Sequence, residues 1–284
     1  MYERNWGILL VFLAGFFFSQ HLILGTNYDI INKIPCKEKE LTMKLSVIIP
    51  MYNEEKIVEE AITALDAQLL KDFGESEYEM IFVSDGSRDA CQEKAEAMMD
   101  AHPALRVIGY QPNHGKGYAV RTGMLAAEGD FVLFTDCDLA YGTEVIAKFE
   151  KAFREEKKDI YIGSRTLDKS GYEGYTLKRK LMSKTYIKYL NIVAGFDHSD
   201  SQCGIKGFSQ KAAKEVFAEC ECDRWAFDLE ALLIAKDKGF SVGEIAVKII
   251  NHRESNIRPI HDAIEMTKEV RRIKKRRKAK KKAV

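Results

Sequence analysis

The sequence predicts an α/β fold with a doubly wound, largely parallel sheet, and three observations support this prediction. Apolar runs of strand length alternate with segments whose apolar residues recur at helical spacing, which is typical of a parallel sheet with crossover helices. The run FVLF, which begins at Phe131, shows no alternation of polar and apolar residues, as expected of a strand buried on both faces. Polar residues gather after each run, where sheets of this kind bind ligands.

The alternation predicts five strands and four helices in the first part of the domain. The strands are expected at Leu45–Tyr52, Glu79–Ser84, Leu105–Gln111, Phe131–Asp136 and Asp159–Ser164. The helices are expected at Glu54–Leu70, Asp89–His102, Gly117–Glu128 and Thr143–Glu156.

The composition fits one sizeable domain with appendages. The chain has 284 residues, of which 46% are hydrophobic, and this length suits one α/β domain better than two. Its net charge of +1 is unevenly distributed, because residues 268–284 hold 11 Lys and Arg against one acidic residue. The 6 cysteines are scattered without a C-x-x-C pair, so we expect neither a zinc site nor a disulfide framework, and a reducing compartment is the default.

The N-terminal segment is strongly apolar. Trp6–Leu24 contains no Lys, Arg, Asp or Glu, and as a helix its length would come close to the roughly 30 Å of a bilayer core. A signal peptide and an interfacial helix are the alternatives. Lysines follow the segment, while only Arg4 precedes it, which favours a single-pass membrane anchor over residues 1–30 with the main domain in the cytoplasm.

The C-terminal segment, residues 261–284, begins as an amphipathic helix and ends as a basic run. A solvated disordered tail and a nucleic-acid-binding tail are both open interpretations. With an anchor at the other end of the chain, anionic membrane lipids are the nearest polyanion, so we favour lipid and expect no nucleic-acid partner.

Two aspartates, Asp136 and Asp138, close the apolar run that begins at Phe131. Side chains two apart on a strand share a face, so we expect the two carboxylates to converge. Converging carboxylates repel unless a cation lies between them, and such hard oxygen ligands suit Mg²⁺ or Mn²⁺ carrying a phosphate. A lone D-x-D is common, so an acidic turn is the alternative.

Four further polar clusters follow predicted strands. They are PMYNEE from Pro50, SDGSRD from Ser84, NHGKGYAVRTG from Asn113 and GSR from Gly163. The glycines of the third cluster would let the backbone approach a ligand, and Lys116 lies at a helix N-terminus, where it can meet a phosphate. Together with the two aspartates, these clusters predict a metal-assisted site for a nucleotide diphosphate.

At these residues the sequence resembles family-2 glycosyltransferases of the GT-A fold. The shared motifs are P-x-Y-N-E, D-G-S, N-x-G-K-G-x-A-x-R-x-G and D-x-D. The later stretches DSQCGIKGF and RWAFDLEALLIA are similar to those of dolichyl-phosphate β-glucosyltransferases and their bacterial polyprenyl-phosphate relatives. The resemblance implies a GT-A domain over residues 44–260.

The resemblance also implies roles for particular residues. Tyr52, Glu54 and Asp85 would hold the base and ribose of the donor, Lys116 and Arg165 would face its phosphates, and Asp136 and Asp138 would hold the metal. Asp228 and Glu230, the candidate catalytic residues, would lie near sugar and acceptor with Gln202. The full set of implied donor-binding residues is Pro50, Tyr52, Asn53, Glu54, Asp85, Gly86, Lys116, Asp136, Arg165 and Gln202.

The activity that these features imply is an inverting, metal-dependent transfer of a sugar, glucose from UDP-glucose in the first instance, to a polyprenyl or dolichyl phosphate. A family-2 enzyme acting on a saccharide hydroxyl is the alternative; it would need a general base, whereas a lipid phosphate would not. A sugar nucleotidyltransferase is disfavoured, because the first strand leads into PMYNEE and not into a glycine-rich activating loop. A non-catalytic membrane or nucleic-acid binding protein would leave the strand-end clusters unexplained.

Overall fold

The computed structural model describes residues 43–173, 177–195, 198–251 and 259–283. The strands of this part are β1 (Leu45–Met51), β2 (Tyr78–Asp85), β3 (Leu105–Tyr110), β4 (Phe131–Phe134), β5 (Ile160–Ser164), β6 (Lys206–Ser209) and β7 (Val242–Ala246). Its helices are α1 (Val58–Phe73), α2 (Cys91–Ala97), α3 (Lys116–Ala126), α4 (Val145–Glu156), α5 (Leu177–Ala194), α6 (Gln210–Phe217), α7 (Phe227–Lys238) and α8 (Pro259–Ala283).

The strands form one seven-stranded sheet with the order β3-β2-β1-β4-β6-β5-β7. The pairs β1/β2, β2/β3, β1/β4 and β5/β7 are parallel. Strand β6 runs antiparallel to both of its neighbours, β4 and β5. The predicted α/β class with a mostly parallel sheet is therefore confirmed, whereas β6 and β7 were not predicted.

Helices cover both faces of the sheet, as expected of a doubly wound fold. One apolar cluster packs α1, α2 and α4 against the sheet, and the other packs α3 and α5–α8 against the opposite face. Successive residues of β1 alternate between the two clusters, with Val47 and Ile49 in the first and Ile48 in the second. This burial on both faces explains why the strand shows no polar and apolar alternation in the sequence.

The boundaries of several elements differ from the prediction. Strand β4 ends at Phe134, two residues before its predicted end, and α1 begins at Val58 instead of Glu54. Helix α2 ends at Ala97, five residues earlier than expected. The early end of β4 matters most, because it places Asp136 and Asp138 beyond the strand.

The C-terminal helix α8 packs on the domain. Its side chains Val270 and Ile273 are buried in the cluster that contains α7, and Arg276 and Arg277 form ion pairs with carboxylates of α7. The predicted helix is thus present, and it continues through most of the basic run.

Of the helices formed by the described residues, none combines the length and apolarity needed to cross a bilayer. The predicted anchor, residues 1–30, lies outside the described residues and stays a prediction. The proposed domain boundaries at residues 44, 260 and 261 also stay predictions.

Candidate active site

The loops that follow β1, β2, β3 and β4 meet at one edge of the sheet, because these strands are parallel neighbours. Asn53 links the first two loops: its amide oxygen accepts a hydrogen bond from the backbone N–H of Arg88 at 2.9 Å, and its own N–H donates to Ser87 Oγ at 3.2 Å. Pro50 is buried in β1, whereas the side chain of Tyr52 is exposed and Glu54 is half-buried. Tyr52 and Glu54 are therefore accessible in this loop, Asn53 holds the loops together, and donor binding by these residues stays a prediction.

Gly86 adopts a left-handed backbone conformation with φ of +63°. A Cβ atom at this position would collide with the backbone of Asn113, so glycine is required where the second and third loops touch. This packing gives Gly86 a structural role, and its predicted role in donor binding stays a prediction.

Asp85 is buried at the end of β2 and organises the loop after β3. Its carboxylate accepts hydrogen bonds from Tyr110 Oη at 3.0 Å, Asn113 Nδ2 at 2.7 Å and the backbone N–H groups of His114 at 2.9 Å and Gly115 at 2.8 Å. Burial raises the pKa of the Tyr110 phenol, and the Asp85 charge adds to this shift. The structure gives Asp85 a role in shaping this loop, and its contact with a nucleotide stays a prediction.

Two glycines after β3, Gly115 and Gly117, make room for another part of the protein, and the approach of their backbone to a ligand stays a prediction. A Cβ atom on Gly115 would lie 2.5 Å from the carbonyl oxygen of Asp223, and one on Gly117 would lie 2.5 Å from that of Cys222. The backbone N–H of Tyr118 also donates to the Asp223 carbonyl at 3.2 Å. The segment before α7 is therefore held against the start of α3.

Lys116, the first residue of α3, points into a cluster of carboxylates. Its ammonium group donates to Asp136 in a short contact. Burial alone would lower the pKa of Lys116, but the charges of Asp136, Asp228 and Asp138 outweigh burial and hold it above its ordinary value. The structure thus brings together four of the predicted site residues.

The two aspartates of the D-x-D motif do not converge by strand alternation, so that part of the prediction is wrong. Because β4 ends at Phe134, both residues lie in a turn in which the Leu139 N–H donates to the Asp136 carbonyl at 3.0 Å. Asp138 accepts a hydrogen bond from the Ala140 N–H at 3.1 Å. Both carboxylates remain partly exposed.

The described residues contain no group of three or more His, Cys, Asp or Glu side chains arranged to hold a metal alone. Asp136 and Asp138 nevertheless fit Mg²⁺ or Mn²⁺, because such ions are held by one or two carboxylates together with substrate phosphates and water. The Asp136 side chain is 35% exposed and already neutralises a cation, the ammonium group of Lys116, so this position favours positive charge and is open to a ligand.

Arg165, predicted to face phosphates, forms a bidentate ion pair with the fully buried Asp200, with distances of 2.6 and 2.9 Å. Burial would lower the pKa of Arg165, but the hydrogen bonds from its guanidinium to Asp200 raise it above its usual value. Gln202, two residues further on, has a buried amide nitrogen that finds no hydrogen-bond partner within the described residues. A buried donor of this kind indicates a missing ligand or water, which fits the predicted donor-binding role.

Asp228 and Glu230 lie on different sides of α7, as residues two apart on a helix must. Asp228 contacts the site, where its carboxylate accepts from the fully buried Lys206 at 2.7 Å. Burial raises the pKa of Asp228, against the opposing effects of Lys206 and Lys116. Lys206 was not among the predicted site residues, although it lies in the DSQCGIKGF stretch.

Glu230 makes contacts outside this cluster. It accepts hydrogen bonds from the backbone N–H groups of Glu221 at 2.8 Å and Cys222 at 2.6 Å, and it forms an ion pair with Arg276 of α8 at 2.7 Å. These contacts tie α7, α8 and the preceding loop together. These contacts give the Glu230 carboxylate a structural role, and its predicted catalytic role stays a prediction.

Comparisons with known proteins identify the family of the chain. A family model described as "Glycosyl transferase family 2" matches residues 46–217. Dolichyl-phosphate β-glucosyltransferase of Drosophila melanogaster is 33% identical over 83% of this chain and 76% of that protein, and the human protein of the same name is 32% identical over 81% and 74%.

Among solved structures, glucosyl-3-phosphoglycerate synthase from Mycobacterium tuberculosis has a similar fold. Its complex with Mn²⁺, UDP and phosphoglyceric acid matches with a TM-score of 0.61 and 18% identity, over 81% of this chain and 77% of that chain. Its complex with Mg²⁺ and UDP gives a TM-score of 0.58 and 19% identity, over 81% and 78%. Because the family model covers more than half of the chain and the relatives cover most of it, this protein belongs to glycosyl transferase family 2 and is a glycosyltransferase.

Proposed function

We propose that this enzyme transfers glucose from UDP-glucose to a polyprenyl or dolichyl phosphate, with inversion and with a divalent cation, at the cytoplasmic face of a membrane. The relatives that match most of the chain are named for glucose and dolichyl phosphate. The solved synthase of similar fold has been crystallised with UDP-glucose and Mn²⁺, which supports the choice of donor and cofactor.

The proposed acceptor rests on one observation: among the described residues, three cations lie around the ring of Tyr172. The guanidinium of Arg165 lies 5.5 Å from the ring centroid, and the ammonium groups of Lys180 and Lys184 each lie 5.8 Å from it. Arg165 is neutralised by Asp200, whereas neither lysine has a carboxylate partner within the described part of the chain. A site of this kind favours a dianion such as a phosphate monoester.

Helix α5, which supplies both lysines, also presents an apolar surface. Leu177 is 87% exposed and Ile192 is 72% exposed, and the helix contains five basic residues and no acidic one. Exposed aliphatic side chains beside lysines suit the boundary between lipid headgroups and acyl chains. An acceptor with a phosphate head and an apolar tail would match this surface.

The chemistry assigned to the chain is a single displacement. An oxygen of the acceptor phosphate attacks C1 of the sugar, the bond from C1 to the diphosphate oxygen breaks, and UDP leaves with the electron pair. Lys116 places positive charge at the diphosphate, and the buried Asp228 orients sugar hydroxyls. A divalent cation held by Asp136 and Asp138 would supply further charge neutralisation for the leaving group when bound.

The proposal is tested by incubating the purified enzyme and UDP-[¹⁴C]glucose with either polyprenyl phosphate or soluble glycans. We expect label in a lipid product from which mild acid releases glucose. Label found only in glycans would show that a saccharide hydroxyl is the acceptor. GDP-glucose and other UDP-sugars serve as donor controls.

Removing the two lysines of α5 near Tyr172 should weaken acceptor binding specifically. Lys180→Gln and Lys184→Gln should each raise the KM for polyprenyl phosphate by roughly 10-fold, the usual scale for a lost charge-assisted contact, with little change in the KM for the donor. Lys71→Gln, an exposed lysine of α1, is the matched control. Equal KM values for wild type and both variants would show that the acceptor phosphate is held elsewhere.

Substitution of Glu230 should affect stability more than chemistry. Glu230→Gln removes the charge that pairs with Arg276, whereas its amide oxygen can still accept from the two backbone N–H groups that share Oε2, so we expect a loss of about 2–4 kcal/mol in the free energy of unfolding. The kcat of the folded enzyme, measured well below Tm, should fall by less than about threefold. A large loss of kcat at unchanged stability would instead support the predicted catalytic role of Glu230.

We propose that residues 1–30 anchor the enzyme in the membrane and that the basic end of the chain binds anionic lipid. Deleting residues 1–25 should move much of the enzyme from the membrane fraction to the supernatant. Deleting residues 274–284 should make the remaining binding less sensitive to salt, because about 1 kcal/mol per basic residue near the surface is lost. Sedimentation of the doubly truncated enzyme with membranes in high salt would place the anchor elsewhere, with α5 the first candidate.

A further inference from the structure

Trp225 exposes its indole ring at the edge of the active site. Its side chain is 65% exposed, although it directly precedes the buried start of α7. The ammonium group of Lys116 lies 6.0 Å from the ring centroid, which is at the outer limit of a cation–π contact. A large aromatic face therefore borders the cluster of Lys116 and the carboxylates, and most of it is open.

The backbone around Trp225 is held on both sides. Arg121 donates to the Cys220 carbonyl at 2.9 Å and pairs with the Asp223 carboxylate at 2.8 Å. On the other side, Phe227 is buried in the core. Because the segment is fixed before and after it, the backbone of Trp225 is held at this place before any ligand binds, and only the rotation of its side chain has to be restricted on binding.

We infer that Trp225 forms a stacking surface for the hexose ring of the nucleotide-sugar donor, an inference that rests on the proposed function. The hexose is joined directly to the phosphate that Lys116 would meet, so its ring must lie within a few ångströms of that ammonium group. A pyranose offers an apolar C–H face to an aromatic ring, while its hydroxyls remain free for polar partners such as Asp228. The acceptor tail has its own apolar surface on α5.

The sequence provides a direct probe, because it contains 2 tryptophans, Trp6 and Trp225. In the Trp6→Phe protein, all tryptophan emission comes from Trp225. With Mg²⁺ present, we expect UDP-glucose to change this emission beyond the change produced by UDP alone.

Calorimetry on the Trp225→Ala protein provides the second measurement. The affinity for UDP-glucose should fall roughly 3- to 10-fold, the affinity for UDP should change less than about twofold, and Trp225→Phe should restore part of the loss. The inference is overturned if the affinities for UDP and UDP-glucose fall equally or if neither affinity changes. It is also overturned if the substitution changes only the KM for polyprenyl phosphate. If UDP-glucose binds as expected but wild type transfers no glucose to polyprenyl phosphate, the proposed function fails and the stacking surface stands.

Discussion

Replacing Asp138 with Asn should reduce kcat/KM by roughly 10²- to 10³-fold while the fold stays intact. The amide oxygen of Asn can still accept the hydrogen bond from the Ala140 N–H, so the turn after β4 is expected to persist. What the substitution removes is a negative charge beside the position where the diphosphate and its divalent cation would lie. Turnover, circular dichroism and Tm of the variant are the measurements.

Removal of divalent cations should reproduce this loss in wild type. EDTA should abolish turnover, and Mg²⁺ or Mn²⁺ should restore it, with a higher metal concentration needed for Asp138→Asn. Asp72→Asn, a change of the same kind on the exposed surface of α1, controls for general charge effects. Full turnover in metal-free buffer would show that Asp136 and Asp138 do not hold a catalytic cation.

The residues of this motif could be identified from the sequence, but their geometry could not. A strand buried on both faces has no alternation from which to predict its end, so the polar Thr135 and Asp136 after FVLF could equally be the end of the strand or the start of a turn. The turn that follows depends on Leu139, which adopts a positive φ of 48° although its side chain gives no sign of a turn. The prediction therefore relied on a strand geometry that the two carboxylates do not have, and their role as metal ligands stays a prediction.

Contacts between distant residues account for most of what the sequence did not reveal. Lys206 and Gly207 open a strand of only four residues, a composition that does not indicate a strand, and the burial of Lys206 depends on Asp228, 22 positions away. The separate environments of Asp228 and Glu230, in contrast, could have been predicted. Residues two apart on a helix face different directions, so only one of them could have faced the site.

The pH dependence of Asp228 variants should identify the acceptor. If a lipid phosphate attacks, the acceptor brings its own charge, and no side chain must remove a proton. The acid limb of the kcat/KM profile should then follow the second ionisation of the acceptor phosphate near pH 6, in wild type and in Asp228→Asn alike. The variant should be slower, because the loss of its carboxylate leaves the sugar less well oriented, but the shape of its profile should not change.

The same substitution also leaves the buried Lys206 without its carboxylate partner, so stability must be separated from chemistry. The double variant Lys206→Met and Asp228→Asn removes both charges and should recover part of the lost Tm, whereas the acid limb of its kcat/KM profile should stay at the same pH.

If a hydroxyl attacks instead, Asp228 is the base within reach of the site. Because burial raises the pKa of Asp228, the acid limb of wild type would then report the ionisation of this carboxyl. Asp228→Asn would then lose roughly 10²- to 10⁴-fold in rate and the acid limb with it, and Glu230→Gln would show neither effect. A profile that keeps its acid limb in every variant is therefore the result that favours the phosphate acceptor over the hydroxyl.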